Sequence, residues 1–135
     1  MGDSMPQRFI AAWNSHDAAT VVAMYAVDGS HEDLGIGVVA KGHDAIRAFA
    51  IEGGADFQLS LVSEQTGQDR YAIEWVAVGT HTAEMGGVPA TNKPFRFRGA
   101  SIGHLDAEGK IIENRDYFNL ADLLMQIGLL PPLGT

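Results

Sequence analysis

PFRFRGASIGHLDAEGKIIENRDYFNLADLLMQIGLLP, residues 94–131, is the stretch that decides the fold. It predicts two long strands joined by a tight turn at residues 106–109, because Gly109 can adopt the positive φ that such a turn requires. Asn119 is a suitable N-cap for the short helix that follows, and Gly128 is placed to end that helix. The stretch therefore predicts an antiparallel hairpin followed by a C-terminal helix.

The register of this hairpin follows from one assumed pair, Leu105 opposite Lys110. Counting outward gives the further pairs Gly103 with Ile112, Ser101 with Asn114, Gly99 with Asp116 and Phe97 with Phe118. Because side chains alternate along a strand, one sheet face carries Phe95, Phe97, Gly99, Ser101 and Gly103 beside Ile112, Asn114, Asp116 and Phe118. The opposite face is predicted to be solvated and carries Arg96, Arg98, Glu113, Arg115 and Tyr117.

Asp116 is the chemically interesting residue of the dry face, since it is a carboxylate opposite a glycine that leaves room above it. Burial among Phe97, Ile112 and Phe118 is expected to raise the pKa of Asp116 towards the working pH. This environment predicts a general base or general acid. The alternative is a carboxylate that is hydrogen-bonded by polar neighbours such as Asn114 and has no chemical role.

The composition excludes several classes of protein. The chain has 135 residues, of which 46% are hydrophobic and 19% charged, as expected for a globular domain. A net charge of −8 argues against nucleic acid or an anionic membrane as the main partner. The absence of cysteine excludes disulfides and thiolate chemistry. No signal peptide and no long apolar run is present, so a cytoplasmic protein is expected.

The rest of the chain predicts helices before strands. The expected elements are a helix over residues 5–13, a helix that starts at Asp17 and buries Met24 and Tyr25, an extended piece over residues 30–34, and a helix from Gly42 that Gly53-Gly54 ends. From Asp56 the apolar period changes to two, which predicts strands. Segregated helices and strands predict one α+β domain over residues 1–135, with a curled, mostly antiparallel sheet packed on three helices.

Several pieces of the sequence resemble the SnoaL-like polyketide cyclase family. These are RFIAAWNSHDAATVVAMYAVDGSHEDLG (8–35), KGHDAIRAF (41–49), GTHT (79–82) and ENRDYF (113–118). The resemblance implies a cone-shaped α+β barrel of the nuclear-transport-factor-like superfamily, a homodimer through the outer sheet surface, and no metal or organic cofactor. It also implies that Asp116 matches an aspartate that moves a proton at an acidic carbon during intramolecular aldol closure. Because this superfamily hosts many activities, the resemblance does not fix one.

Two histidines are candidates to assist Asp116. His81 follows Trp75 and Ala77 on one face of a strand, so it could orient Asp116 or donate a hydrogen bond to a substrate oxygen. It could equally be a satisfied core residue. His31 lies in GSHED, where either His31 or Asp33 is expected to face the cavity.

The remaining candidates shape the pocket. The residues predicted to contact a substrate are Trp13, Tyr25, Trp75, Phe97, Ser101, Asn114 and Phe118. No metal site is predicted, because the five histidines are scattered without ligand spacing. GIGVVA (35–40) resembles a dinucleotide fingerprint, but it lacks the parallel βαβ context that such a site needs.

Three functions remain open from sequence. The first is a cofactor-independent enzyme that acts on a hydrophobic carbonyl-bearing small molecule, by aldol-type cyclisation or isomerisation, with Asp116 moving the proton and His81 or Asn114 polarising the enolate oxygen. The second is a dehydratase that uses His31 with an aspartate, or an epoxide hydrolase, although the strand AIEWVAVGTH offers no inward arginine. The third is a non-catalytic module, which predicts a fully paired Asp116 or a filled pocket.

Overall fold

The computed structural model describes residues 2–52 and 56–134. The described helices are α1 (Met5–Asn14), α2 (Ala18–Val22), α3 (His43–Ile51) and α4 (Leu120–Gln126). The described strands are β1 (Tyr25–Asp33), β2 (Val38–Lys41), β3 (Asp56–Thr66), β4 (Arg70–Thr80), β5 (Pro94–Leu105) and β6 (Ile111–Phe118). The predicted helix end at Gly53-Gly54 lies outside the described residues.

The six strands form one sheet in the order β2-β1-β6-β5-β4-β3. All neighbouring pairs are antiparallel except β1 with β6, which is parallel. The α+β class and the mostly antiparallel sheet are therefore confirmed. The sheet remains open, because β2 and β3 are its two edges. None of the described helices has both the length and the apolar content needed to cross a membrane.

The helices begin where short polar side chains can accept backbone hydrogen bonds. Asp17 accepts from the Thr20 amide at α2, and Asn119 accepts from the Asp122 amide at α4, so both predicted N-caps are confirmed. Ser4 forms a capping box at α1, a signal that the sequence reading missed.

The segment after α2 differs from the prediction. Met24 and Tyr25 were expected on the buried side of a helix, but α2 ends at Val22 and β1 begins at Tyr25. The parallel pairing of β1 with β6 shifts register between Tyr25 and Ser30. Gly29 allows this close approach, since a Cβ there would lie 2.6 Å from the Ile111 carbonyl oxygen.

The hairpin of β5 and β6 has the predicted turn but a different register. Asp106 and Gly109 close the turn as expected, with Gly109 at φ 78°. Ser101 pairs with Asp116 and not with Asn114, a shift of two residues from the prediction. Asn114, Asp116 and Phe118 remain on the predicted sheet face after this shift, because side chains alternate between the two faces with a period of two residues.

Ile112 was placed on the dry face, and this prediction is wrong. A bulge between His104 and Leu105 pairs Leu105 with Ile111, which leaves Ile112 as the extra residue. Ile111 is consequently fully buried, whereas Ile112 is 38% exposed.

The concave face of the sheet packs on the helices and holds the core. Its main cluster includes Phe9, Val21, Ile46, Tyr71, Ile73, Trp75 and Ile111. A smaller cluster of Phe95, Leu123 and Ile127 joins α4 to the other end of the sheet. Between these two clusters the layers do not close, and a cavity remains.

Candidate active site

The cavity between the helices and the concave sheet face has a volume of about 600 Å³. Its walls are mostly aromatic and aliphatic, with Trp13 and Phe49 from the helices and Phe97 and Phe118 from the sheet. The side chains of His31, Asp33, Ser101 and Asp116 form its polar end, where β1, β6 and β5 run side by side. A cavity of this kind suits an apolar ligand that carries a few polar groups.

The side chain of Asp116 contacts three neighbours, one on β5, one on β6 and one on β1. Its Oδ1 accepts a hydrogen bond of 2.6 Å from the Ser101 hydroxyl and one of 2.8 Å from Asn114 Nδ2. Its Oδ2 lies 3.1 Å from His31 Nε2. That nitrogen is buried and its N–H direction is not aligned for a full hydrogen bond to Oδ2. The carboxylate is thus fixed at Oδ1 and in looser contact with the imidazole at Oδ2.

The hydrogen bonds determine which nitrogen of His31 carries the proton. An ionised Asp116 can only accept, so the Asn114 group that faces it must be the amide nitrogen. That same nitrogen lies 3.2 Å from His31 Nδ1, which must therefore accept. The Tyr25 hydroxyl lies 2.7 Å from Nδ1 as well. In the neutral imidazole the proton consequently resides on Nε2, the nitrogen next to Asp116.

A second row of side chains supports this group from inside the core. The Tyr71 hydroxyl donates to Asn114 Oδ1 at 2.5 Å, and Trp75 Nε1 donates to the Ser101 hydroxyl at 2.9 Å. Burial raises the pKa of Tyr25 well above its usual value and also raises that of Tyr71, so both hydroxyls keep their protons.

The glycine that was expected to leave room above Asp116 has a different function. Gly99 pairs with Phe118, and a Cβ on Gly99 would collide with the indole ring of Trp75. The space is therefore occupied by Trp75, which needs it to reach Ser101.

The pKa of Asp116 corrects the sequence prediction. Burial alone would raise this pKa, as expected, but the adjacent His31 and the hydrogen bonds from Ser101 and Asn114 outweigh burial. The pKa of Asp116 is therefore below its usual value, and the carboxylate is ionised at neutral pH. A raised pKa was the wrong expectation because the sequence does not show how many donors converge on one oxygen.

Asp33 is a second carboxyl at the cavity, and the structure places both His31 and Asp33 along its wall. Asp33 is 9% exposed and its Cα pairs with that of Asp116 across β1 and β6. Its Oδ1 accepts a 3.0 Å hydrogen bond from the Ile36 amide. Burial and the neighbouring Asp116 raise the pKa of Asp33.

His81 is not brought to this group. It follows β4, is fully buried, and its Nδ1 lies 3.0 Å from the Thr91 hydroxyl and accepts from the Thr91 amide at 3.2 Å. The expected contact with Asp116 is absent, because β4 ends at Thr80 and His81 is held by the loop that follows.

The predicted substrate contacts fall into two groups. Those that border the cavity are Trp13, Trp75, Phe97, Ser101 and Phe118. Tyr25 and Asn114 lie behind His31 and Asp116 and support them. Tyr71 was missed, although it continues the alternation of Ile73 and Trp75 on β4. Among residues 2–52 and 56–134, no three metal-ligating side chains come together.

Comparison with known proteins gives a family and a fold. A family model described as SnoaL-like polyketide cyclase matches residues 4–127. No protein with a curated description matches the chain.

Three solved structures illustrate the similarity. A putative SnoaL-like polyketide cyclase from Jannaschia sp. superposes with a TM-score of 0.82 at 16% identity, over 95% of this chain and 91% of that one. A putative polyketide cyclase from Xanthomonas campestris gives 0.80 at 23%, over 92% and 94%. A protein with a ketosteroid isomerase-like fold from Catenulispora acidiphila, in complex with trimethylamine, gives 0.79 at 22%, over 96% of each chain. At these identities the likeness shows the fold.

Proposed function

Because the chain belongs to the SnoaL-like polyketide cyclase family, we propose that it is an acid/base enzyme that needs no cofactor and acts on a hydrophobic, carbonyl-bearing small molecule. The reaction is an aldol-type cyclisation or a related isomerisation. The observation that carries this proposal is the contact between Asp116 and His31 at the polar end of a mostly apolar cavity.

Asp116 is the general base in this reaction. Its ionised carboxylate removes a proton from a carbon next to a carbonyl group, and the apolar walls exclude the water that would compete for the base. Oδ2 is the oxygen available to the substrate, since Oδ1 already accepts two hydrogen bonds.

His31 takes the role that was predicted from the sequence for His81 or Asn114, polarisation of the enolate oxygen. Its Nε2–H is next to Oδ2 yet makes no well-aligned hydrogen bond within the described residues. Such a donor can turn to the oxygen of a developing enolate, which is where negative charge accumulates. The contact from Tyr25 holds the ring in this tautomer.

The assembly proposed for the protein is a homodimer through the outer sheet face. This face carries exposed apolar side chains at Val78, Ile102 and Tyr117, which are 47%, 41% and 40% exposed. Arg98 on β5 and Arg115 on β6 lie on the same face, with Arg115 paired with Ile102.

A dehydratase is the second candidate, because that hypothesis requires a His–Asp pair and His31 contacts Asp116. The non-catalytic module is less well supported. Asp116 has several protein partners, as that hypothesis requires, but the cavity of about 600 Å³ is not filled by side chains. No arginine borders the cavity among the described residues, which disfavours an epoxide hydrolase with an Asp-Arg-Asp relay.

Exchange of acidic carbon protons tests the proposal without the natural substrate. In deuterium oxide the wild type should incorporate deuterium next to the carbonyl of β-tetralone, a flat bicyclic ketone, as followed by proton NMR. Asp116→Asn should lower this rate by about 10²–10⁴-fold, the usual contribution of a positioned base. Asp28→Asn, an exposed change on β1, is the matched control and should leave the rate unchanged.

Equal exchange by the wild type and Asp116→Asn would refute the role of the base. Loss of water from a β-hydroxyketone probe, without carbon–carbon bond formation on a diketone probe, would favour the dehydratase.

A further inference from the structure

Asp33 is a buried carboxyl that the function proposed above does not use. It borders the same cavity as Asp116, is 9% exposed, and pairs with Asp116 across the parallel strands. A buried carboxylate normally has a cationic partner or several donors, because its desolvation is unfavourable. Within the described part of the chain, no lysine or arginine forms an ion pair with Asp33.

Asp33 and Asp116 differ in the neighbouring groups that would stabilise a negative charge on each carboxyl. Asp116 has His31 at Oδ2 and two side-chain donors at Oδ1. Asp33 receives backbone hydrogen bonds from Ile36 and Gly35 in the turn after β1, and has an ionised neighbour in Asp116.

The other charged groups around the cavity do not change this contrast. His31, on the same strand as Asp33, lies against Asp116; it lowers the pKa of Asp33, but burial outweighs this effect. β2 presents Val38, which is uncharged, opposite Asp33. The remaining acidic groups of the wall, Asp17, Glu52 and Glu84, are exposed.

Two carboxyls that share an apolar site do not both ionise easily, so the less well stabilised one retains its proton. The opposite pKa directions of Asp33 and Asp116 agree with this expectation. An apolar ligand that fills the cavity would remove the remaining water from Asp33 and favour its protonated form further.

We propose that Asp33 is a second catalytic carboxyl, which in the ligand-bound protein is protonated and donates its proton to an oxygen of a neutral substrate. The proposal rests on the proposed function and extends it to substrate class. A protonated Asp33 donates a hydrogen bond to a ketone oxygen, and the ionised Asp116 beside it repels a carboxylate, so the site takes neutral carbonyl compounds and rejects carboxylates.

The proton balance of an aldol closure follows. Asp116 removes the proton from the nucleophilic carbon, and His31 donates a hydrogen bond to the resulting enolate oxygen. The carbon–carbon bond forms as the enolate attacks the second carbonyl, whose oxygen takes the proton of Asp33. The product is an isomer of the substrate, and after its release the proton on Asp116 returns to Asp33 through solvent.

A purely structural role for Asp33 gives different expectations. Its Oδ1 caps the turn through the Ile36 amide, and this hydrogen bond could be its whole function. Asp33→Asn keeps an acceptor oxygen for Ile36 but removes the transferable proton. The variant should therefore fold and should separate the two roles.

Ligand binding tests the proposal directly, with methyl naphthyl ketone and naphthoate as probes. In the wild type, affinity for the ketone should fall as the pH rises from mildly acidic to mildly alkaline, because ionisation of Asp33 removes the donor. Calorimetry in two buffers of different ionisation heat should show proton uptake with the ketone. Asp33→Asn should lose both the pH dependence and the proton uptake, and naphthoate should bind the wild type more weakly than the ketone.

Three outcomes would overturn the proposal: no binding of the ketone, ketone binding by the wild type without pH dependence, or the same pH dependence in Asp33→Asn. Carbon-detected NMR of the two carboxyls adds a ligand-free test, since Asp33 must hold its proton to higher pH than Asp116. Failure of the proposed function is distinguishable, because it appears as unchanged deuterium exchange in Asp116→Asn.

Discussion

Asp33 and Asp116 are direct partners in the parallel pairing of β1 with β6, and their pKa values move in opposite directions. Burial raises the pKa of both carboxyls, so the opposite directions arise from their different neighbours. His31, Ser101 and Asn114 all favour the ionised form of Asp116. The strand order thus places an acid and a base side by side with opposite preferences for a proton.

Because folding lowers the pKa of Asp116, its ionised carboxylate stabilises the fold, and this stabilisation is lost in acid. A carboxyl whose pKa is lower in the folded than in the unfolded state stabilises the fold above its unfolded pKa of about 3.9. This contribution is lost as the pH falls through the folded-state pKa. We therefore expect the free-energy difference of unfolding between the wild type and Asp116→Asn to be constant at neutral pH and to shrink only in acid.

Urea denaturation of both proteins over a pH series measures this difference. Because Asp116→Asn also removes the charge that raises the pKa of Asp33, the same comparison is repeated in an Asp33→Asn background, where Asp33 no longer titrates. A difference that persists unchanged to the most acidic pH at which both proteins fold would contradict the lowered pKa.

Ser101 links the tryptophan of β4 to the carboxylate of β6. Ser101→Ala should destabilise the fold by about 1–3 kcal/mol, because the buried Trp75 Nε1 loses its acceptor and Asp116 loses a donor. The same change should raise the pKa of Asp116, as observed by carbon-detected NMR. Ser60→Ala, at an exposed position of β3, is the control. A pKa of Asp116 that does not move in Ser101→Ala would show that the hydrogen bond has little effect on the charge.

The sequence predicts which face of a strand a residue occupies better than it predicts its partner. Asn114 and Asp116 were placed on the dry face correctly, since an error of two residues in register preserves alternation. The face predicted for Ile112 was wrong, because a bulge changes the residue count by one.

The partners of Asp116 were harder to predict. His31 reaches Asp116 through a pairing of strands more than eighty residues apart in sequence, and nothing local to either strand indicates it. His81 was the plausible candidate by alternation, but the loop after β4 holds its ring at Thr91. The alternation of residues within one strand does not predict which distant strand pairs with it or which loop contacts its side chains.

The outer sheet face should form the interface of a homodimer. Ile102→Asp places a charge on this face, in the strand next to that of Tyr117, and should convert the dimer to a monomer, as measured by light scattering after size exclusion. Val27→Asp is the control, because Val27 is 80% exposed on β1, a strand that β6 separates from β5. A wild type that is monomeric at high concentration would refute the proposed assembly.

We expect the position of the Trp75 ring to depend on the absence of a side chain at Gly99. A Cβ added at Gly99 would overlap the six-membered ring of the indole, which would have to shift. Because the indole nitrogen donates to Ser101, its displacement should also weaken the hydrogen bond from Ser101 to Asp116. Gly99→Ala should therefore destabilise the protein by about 1–3 kcal/mol, the usual effect of overpacking, and raise the pKa of Asp116. Gly67→Ala is the matched control, since a Cβ there meets nothing closer than 4.0 Å. Equal denaturation midpoints for these two variants would show that Trp75 has room to move.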